Sequence, residues 1–425
     1  MQKVDLILIN AKQLLTLAGK NAPRIGAEMS ELGIIEKGAF AVADGLILDV
    51  GSTSEIMSKY SSDKVVDATD KIVMPGFVDP HTHPIFVHTR ENEFAMRLAG
   101  KGYVEISQSG GGIRSTMKTT RDADEETLFQ LAKKRITKMI SVGTTTLEAK
   151  SGYGLSTESE LKQLRVIKRL NDEMPIDIIP TFMGAHEYPA EYKDNHEGYL
   201  KILEDEMIPA VAEQGIAKYC DIFTELHVYN IEESRRVMEA AKKHGLKLKM
   251  HADEIEPIGG AELAAELGCV SADHLGATSD LGIEKMKEAG VIATLLPGTI
   301  FSLGMKEYAR ARAMIEAGVP VALATDYNPG SCNADSQQII ATIACLQMKM
   351  SPEEVIVATT INAAYAIGMG DRVGSLGIGK KADFLVMDMP SYGFLPYHFG
   401  SNNVEKVYKN GEQTPVWNEN CNSER

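Results

Sequence analysis

Short apolar runs, too brief for helices, fill the beginning of the chain and return near its end. Alternating apolar and polar residues are typical of strands, and the dipeptides Asp44-Gly45 and Asn410-Gly411 are typical of hairpin turns. Because isolated strands need partners, we expect both ends to share one small β-sandwich domain, made of residues 1–74 and 375–425. The runs are Val4 to Ile9, Gly38 to Val42, Leu46 to Val50, Ala382 to Met387 and Val404 to Tyr408.

Between these ends, apolar strands alternate with segments of helical periodicity. Such alternation predicts an α/β fold with βα units around a parallel sheet. Eight strands at this spacing favour a (β/α)8 barrel of the TIM type over residues 75–374, although a doubly wound sheet has the same pattern and stays an alternative. The predicted strands are Ile72 to Val78, Gly143 to Ala149, Ile176 to Met183, Ile222 to Val228, Leu246 to His251, Val270 to His274, Val291 to Leu296 and Val319 to Thr325.

The charge balance narrows the range of partners. The 425 residues include 44 basic and 59 acidic side chains, and the formal net charge of −15 repels phosphate backbones and anionic lipid surfaces. We therefore expect neither nucleic acid nor a membrane as a partner. No apolar run reaches the roughly 18 residues that span a bilayer. Five widely spaced cysteines without a Cys-x-x-Cys pair indicate reduced thiols and a cytoplasmic protein.

Polar residues close several of the predicted strands. Active sites of barrels of this kind lie at the carboxyl ends of the strands, so these segments are the candidates for function. His81 and His83 stand two positions apart, a spacing that points both imidazoles to the same side of an extended chain. The segments are Asp79 to Pro84, Gly184 to Glu187, Met250 to Glu254, Ala272 to His274 and Ala324 to Asn328.

His81, His83, His251 and Asp326 form a candidate metal site from three predicted strand ends. Three imidazoles and one carboxylate suit Zn²⁺ and also iron. Such an ion lowers the pKa of bound water and supplies a nucleophile without a covalent enzyme intermediate. The alternative for any single histidine is an ordinary buried side chain with satisfied hydrogen bonds. Five of the ten histidines close predicted strands, however, and this clustering favours the metal site.

The first strand end also resembles a known family. Pro75-Gly76-Phe77-Val78-Asp79-Pro80-His81-Thr82-His83 resembles the first-strand motif of the amidohydrolase superfamily, and Gly374 to Asp383 resembles its return from barrel to sandwich. Within that superfamily, four segments are most similar to the enzymes that open a five-membered ring in histidine degradation. These segments are His88 to Arg90, Glu148 to Gly154, Gly184 to Glu187 and Thr325 to Ser331.

The resemblance bears on the number of metals. Many binuclear superfamily members bridge two metals with a carboxylated lysine on strand four, and the predicted fourth strand here contains no lysine. Lys150 closes strand two instead, so it does not occupy the position of the lysine that bridges two metals. The resemblance thus implies one Zn²⁺ or Fe³⁺ per subunit, and it also implies a homodimer.

A substrate and residue roles follow from the same resemblance. The substrate would be 4-imidazolone-5-propanoate, whose lactam C–N bond is hydrolysed to N-formimidoyl-L-glutamate. Glu254, three residues after His251, is the expected general acid or base. His274 would orient the water, and Asp326 would share proton transfer besides binding metal. Arg90 offers two parallel N–H donors for the propionate, unless it is a plain surface arginine. The other expected substrate contacts are Tyr153, His186, Glu254, Asn328, Gly330 and Ser331.

Three other functions stay open at this point. A cytosine-type or guanine-type deaminase would use the same histidine pair and a similar His-x-x-Glu, but it would release ammonia. A cyclic imide or hydantoin hydrolase is disfavoured by the missing lysine on strand four. A non-catalytic scaffold of the same fold, which belongs to a different class, is disfavoured by the intact set of metal ligands.

The glycine-rich run from Ser109 to Ser115 lacks the Gly-Lys-Ser/Thr sequence of a nucleotide-binding loop. Two interpretations of Gly110 to Gly112 fit equally well, a loop that closes over the site and a plain surface loop.

Overall fold

Eight parallel strands form the centre of this computed structural model, which describes residues 1–101 and 112–415. They lie side by side in chain order, without the reversal of order that defines a doubly wound sheet. Beyond the eighth strand, Tyr327 forms a parallel bridge with Thr82 and accepts the backbone N–H of His83 at 2.8 Å, so the barrel nearly closes. The predicted barrel is confirmed. Its strands are Phe77–Asp79, Thr144–Lys150, Asp177–Ala185, Tyr219–Thr224, Lys247–Ala252, Ser271–His274, Ile292–Leu295 and Val321–Leu323.

A second sheet, here called the terminal sheet, combines strands from both ends of the chain, as the pattern predicts. Phe384–Met387 pairs antiparallel with Ile72–Pro75 on one side and with Val404–Lys409 on the other. Phe40 and Phe384 pack edge to face in its buried core. The other strands of the terminal sheet are Leu6–Leu15, Ile34–Ala43, Leu46–Ser52, Val65–Asp67 and Glu412–Gln413, and Gln2–Lys3 pairs separately with Tyr60–Ser61.

The first predicted strand has the wrong extent. The segment from Ile72 to Val78 is divided at Gly76, so that Ile72–Pro75 belongs to the terminal sheet and Phe77–Asp79 to the barrel. Gly76 lies where two elements approach closely, since a Cβ at this position would lie 2.2 Å from Oγ1 of Thr145.

The fourth predicted strand is displaced. It was expected from Ile222 to Val228 and instead spans Tyr219–Thr224. The strand ends early because the chain turns after it, where Val228 donates its N–H to the carbonyl of Glu225 at 3.0 Å. Asp221 therefore lies inside the strand, among the barrel's buried side chains.

Helices connect the barrel strands and cover the outside of the barrel. Glu125–Ser141 shows how they form: Asp124 accepts the N–H of Thr127 at 2.7 Å at the start, and Leu128 and Ile136 are fully buried. The α-helices are Thr53–Lys59, Glu91–Leu98, Ile113–Asp122, Glu125–Ser141, Thr157–Glu173, His196–Ile202, Ile208–Gln214, Ile231–Lys243, Gly260–Leu267, Asp280–Ala289, Pro297–Leu303, Ala311–Ala317, Gln337–Met348, Pro352–Ala358, Ile361–Ala366 and Phe394–Tyr397. Across the described residues, no helix is both long and apolar enough to cross a bilayer.

Two sequence predictions concern residues outside the described ranges. Gly110 and Gly111 of the glycine-rich run, which was interpreted either as a covering loop or as a plain surface loop, lie outside them, whereas Gly112 is described and donates its N–H to Oε1 of Glu93 at 2.7 Å. Cys421 also lies outside them. Free thiols are found at Cys220, Cys269, Cys332 and Cys345.

Candidate metal centre

The four predicted metal ligands lie together at the carboxyl ends of the barrel strands. We call His81, His83, His251 and Asp326 the metal-ligand cluster. The Nε2 atoms of His81 and His83 are 3.2 Å apart, and Oδ1 of Asp326 lies 3.6 and 3.7 Å from them. The three histidines each offer a ring nitrogen within 4.8 Å of the other two. Residues that are far apart in the chain therefore converge on one point.

The electrostatics of this cluster suit a cation. Burial, reinforced by Lys150 or by neighbouring histidines, lowers the pKa of His81 and His83 well below the usual value, so both rings are neutral as metal binding requires. Burial raises the pKa of Asp326 to about 6, although the hydrogen bond from Thr299 acts to lower it. Among the described residues, no lysine or arginine lies within ion-pair distance of Asp326. A buried carboxylate without a cationic partner, next to neutral imidazoles, fits a divalent metal.

The backbone at these strand ends is strained. Asp253, His274 and Asp326 have φ angles of +49°, +76° and +52°, a region that residues other than glycine seldom adopt. Such strain costs on the order of 1–3 kcal/mol per residue and tends to accumulate where function demands a particular side-chain direction.

The expected acid or base lies beside the metal-ligand cluster. Oε1 of Glu254 is 3.6 Å from Nδ1 of His274, and the ring of His274 lies 5.0 Å from that of His251. Burial, followed by repulsion from Asp326 and Glu225, raises the pKa of Glu254 to about 8. A carboxyl group whose pKa lies near neutrality can both accept and release a proton.

Arg90 lies at the rim of the site with an incompletely bonded guanidinium. Among the described residues, its Nε and Nη1 atoms are buried without a hydrogen-bond partner, and a carboxylate oxygen of Glu93 lies 3.5 Å from Nε. The guanidinium covers Gly330 so closely that a Cβ there would lie 1.5 Å from Nη2. The sequence prediction named both residues, and the structure brings them into contact.

Two further predicted substrate contacts, Tyr153 and His186, lie beside the metal-ligand cluster. His186 lies parallel to His83 at 5.1 Å between ring centroids, and Tyr153 lies 5.2 Å from His186. Burial lowers the pKa of His186 to about 3, so its ring is neutral. Glu160 fixes this loop by accepting the N–H groups of Gly152 and Gly154, both at 2.8 Å.

Asn328 and Ser331 shape the loop after the eighth strand. The Asn328 amide donates to Oγ of Ser331 and accepts the N–H groups of Gly330 and Ser331, each at 2.8 Å. The side chain of Asn328 is thus already engaged within its own loop, beside Arg90.

A group of charged residues next to the metal-ligand cluster was not predicted. We call it the buried ion cluster, and every member is fully buried. Asp273 lies 2.7 Å from Nδ1 of His81, and Asp221 lies 3.1 Å from Nδ1 of His251. The sequence feature that could have identified this cluster is the presence of charged residues within apolar strands. The members are Glu148, Lys150, Asp221, Lys249 and Asp273.

Comparison with known proteins agrees with this geometry. Residues 72–414 match the model of the amidohydrolase family, and the chain therefore belongs to that family. Among solved structures, an adenosine deaminase from Xanthomonas campestris with bound zinc has a TM-score of 0.73 at 19% identity, covering 98% of this chain and 94% of the other. E. coli guanine deaminase has a TM-score of 0.72 at 15% identity, covering 97% and 100%. These two likenesses concern the fold alone.

Curated relatives are far more similar in sequence. The imidazolonepropionase of Alkaliphilus metalliredigens (strain QYMF) is 51% identical over 411 residues, which cover 96% of this chain and 97% of the relative. That of Geobacillus sp. (strain WCH70) is 52% identical with the same coverage. That of Parabacteroides distasonis is 48% identical over 97% of this chain and 99% of the relative. The resemblance inferred from the sequence is confirmed, and family and ligand types together indicate a divalent metal.

Proposed function

We propose that this chain has imidazolonepropionase activity, as a hydrolase that opens the lactam ring of 4-imidazolone-5-propanoate to give N-formimidoyl-L-glutamate. Identity of about one half to curated imidazolonepropionases along almost the entire length carries the proposal. The site adds chemical support, because a candidate cation-binding cluster, a proton-transfer group and a guanidinium with two nitrogens that make no hydrogen bond to the described residues adjoin one another.

His81, His83, His251 and Asp326 would hold one metal ion, either Zn²⁺ or iron. When bound, such an ion lowers the pKa of water and polarises the lactam carbonyl. Each histidine remains a neutral nitrogen donor, and Asp326 contributes the negative charge.

Side chains of the protein would then transfer the protons and orient the water. Glu254 takes the proton from the attacking water and delivers it to the ring nitrogen as the C–N bond breaks. His274, 3.6 Å from Glu254, orients the water, and Asp326 can share the proton. One water is consumed: its oxygen joins the carbonyl carbon and a proton goes to the nitrogen.

Binding of the substrate would depend on the rim. Arg90 pairs with the propionate through its free N–H groups, since a bidentate arginine–carboxylate pair fixes orientation as well as affinity. Tyr153 and His186 border the ring, and the loop of Asn328, Gly330 and Ser331 supports Arg90. The homodimer and the cytoplasmic location stay predictions from the sequence.

Incubation of the purified chain with 4-imidazolone-5-propanoate tests this function. We expect the ring absorbance to disappear without release of ammonia, and a chelator to prevent the reaction until Zn²⁺ or iron is restored. Release of ammonia would contradict the proposal in favour of a deaminase. Absence of any stoichiometric metal and any turnover would favour the non-catalytic scaffold.

A further inference from the structure

The buried ion cluster adjoins the metal-ligand cluster and has no part in the reaction described above. Among the described residues, its three carboxyl groups contact two ammonium groups, so the carboxyl groups outnumber the lysines. Fully buried ions of this kind are costly unless well paired and hydrogen-bonded. A cluster of five in the middle of the barrel therefore calls for a functional explanation.

Two of the carboxylates contact metal ligands directly. Oδ2 of Asp273 lies 2.7 Å from Nδ1 of His81, and Oδ1 of the same residue accepts the hydroxyl of Ser271 at 2.6 Å. Oδ2 of Asp221 lies 3.1 Å from Nδ1 of His251 without hydrogen-bond geometry, and Oδ1 of Asp221 accepts the backbone N–H of His251 at 3.1 Å. The carboxylate of Asp273 favours the tautomer of His81 that carries its proton on Nδ1, which leaves Nε2 free to bind a metal. Asp221 fixes the position of His251 through its backbone.

The two lysines hold these carboxylates in place. Nζ of Lys150 lies 2.6 Å from Asp221 and 2.7 Å from Glu148. Nζ of Lys249 lies 3.1 Å from Glu148 and 3.5 Å from Asp273. Glu148 thus contacts both ammonium groups and joins the two halves of the cluster.

We propose that the two lysines of the buried ion cluster are positioning residues. They hold the carboxylates that orient the imidazole of His81 and fix the position of His251, and so set the affinity of the site for its divalent cation. The inference rests on the metal site of the proposed function.

Metal affinity tests the inference without reference to turnover. The full-length chain loaded with Zn²⁺ is equilibrated with a competing chelator, and a Co²⁺-loaded sample reports ligand geometry through its visible spectrum. Substitutions in groups that orient metal ligands weaken binding by roughly 10–100-fold, and we expect this for both Lys150→Met and Asp273→Asn, with a shifted Co²⁺ spectrum. Asp273→Asn preserves size, so it carries the test even if Lys150→Met fails to fold.

Lys409→Met is the matched control. Lys409 is also a buried lysine that contacts two carboxylates, Asp177 and Asp383, but it lies where the terminal sheet meets the barrel. We expect it to lose thermal stability while keeping the wild-type metal affinity and Co²⁺ spectrum. Wild-type affinity in a folded Lys150→Met or Asp273→Asn variant would overturn the inference. A wild-type chain that binds neither ion would instead overturn the metal site of the proposed function.

Discussion

Two regions of the molecule bury charges of the same chemical types but differ in how completely these are paired. Where the barrel meets the terminal sheet, Lys409 contacts Asp177 at 2.7 Å and Asp383 at 2.6 Å. Lys381 contacts both oxygens of Asp177 at 2.7 Å. We call these four residues the junction cluster. Two positive and two negative charges balance within it, and each has its partner inside the protein.

The proposed reaction site, formed by the metal-ligand cluster and Arg90, lacks this balance of charges. Among the described residues, Asp326 has no lysine or arginine partner, and two guanidinium nitrogens of Arg90 have no hydrogen-bond acceptor. An uncompensated buried charge costs several kcal/mol, so it persists where a ligand completes it. In this comparison, the cluster with balanced charges lies at a structural junction, whereas the groups without partners lie where we propose that metal and substrate bind.

Asp326→Asn should have the largest effect. It removes the only carboxylate of the metal-ligand cluster, and we expect turnover to fall below detection together with loss of stoichiometric metal. Asp383→Asn is the matched control, because Asp383 is an equally buried carboxylate in the junction cluster. Its variant should retain metal and turnover. If both variants lost activity to the same degree, the distinction between the two clusters would not hold.

Glu254→Gln should have the next largest effect. The amide keeps the size of the side chain but cannot accept a proton, so kcat should fall by about 10²–10⁴-fold, the usual contribution of a general acid or base. Metal content should stay at the wild-type value, which separates this role from that of Asp326. A variant with unchanged kcat would assign proton transfer to His274 or Asp326 instead.

The barrel and the grouping of the metal-ligand cluster could be predicted from the sequence. Alternating strands and helices implied a barrel, and a barrel places the ends of its strands at one rim. His81, His83 and Asp326 could therefore be grouped although the third lies far along the chain. The resemblance to a family then supplied their roles, which residue types alone left open.

The buried ion cluster could not be predicted in the same way. Its contacts depend on which positions of neighbouring strands face each other, and the predicted fourth strand was displaced from the true one. Asp221 was therefore not recognised as a partner for Lys150 or His251. The left-handed backbone of Asp326, with φ at +52°, also has no signature in the sequence because it results from tertiary contacts.

Arg90→Ala should weaken substrate binding more than it slows the reaction. The free guanidinium would lose a charged hydrogen-bonding interaction with the propionate, and about 1.5–3 kcal/mol corresponds to a roughly 10–150-fold higher KM. Arg165→Ala is the control, since Arg165 is already paired on the surface with Glu125 and Glu158. A normal KM with a lowered kcat would show that Arg90 acts on the chemical step.

Gly330→Ala should also raise KM, but by less than Arg90→Ala does. It tests how Gly330 positions the Arg90 guanidinium. A Cβ at Gly330 would collide with the Arg90 guanidinium, the movable end of a flexible side chain, so Arg90 should shift while the fold stays intact. We expect KM to rise by less than in Arg90→Ala, with an unchanged melting temperature. Gly393→Ala is the matched control, because a Cβ there meets no atom within 4 Å.

Since the added methyl acts only through Arg90, the double variant Arg90→Ala/Gly330→Ala should have the KM of Arg90→Ala alone. Additive effects would mean that Gly330 contacts the substrate independently.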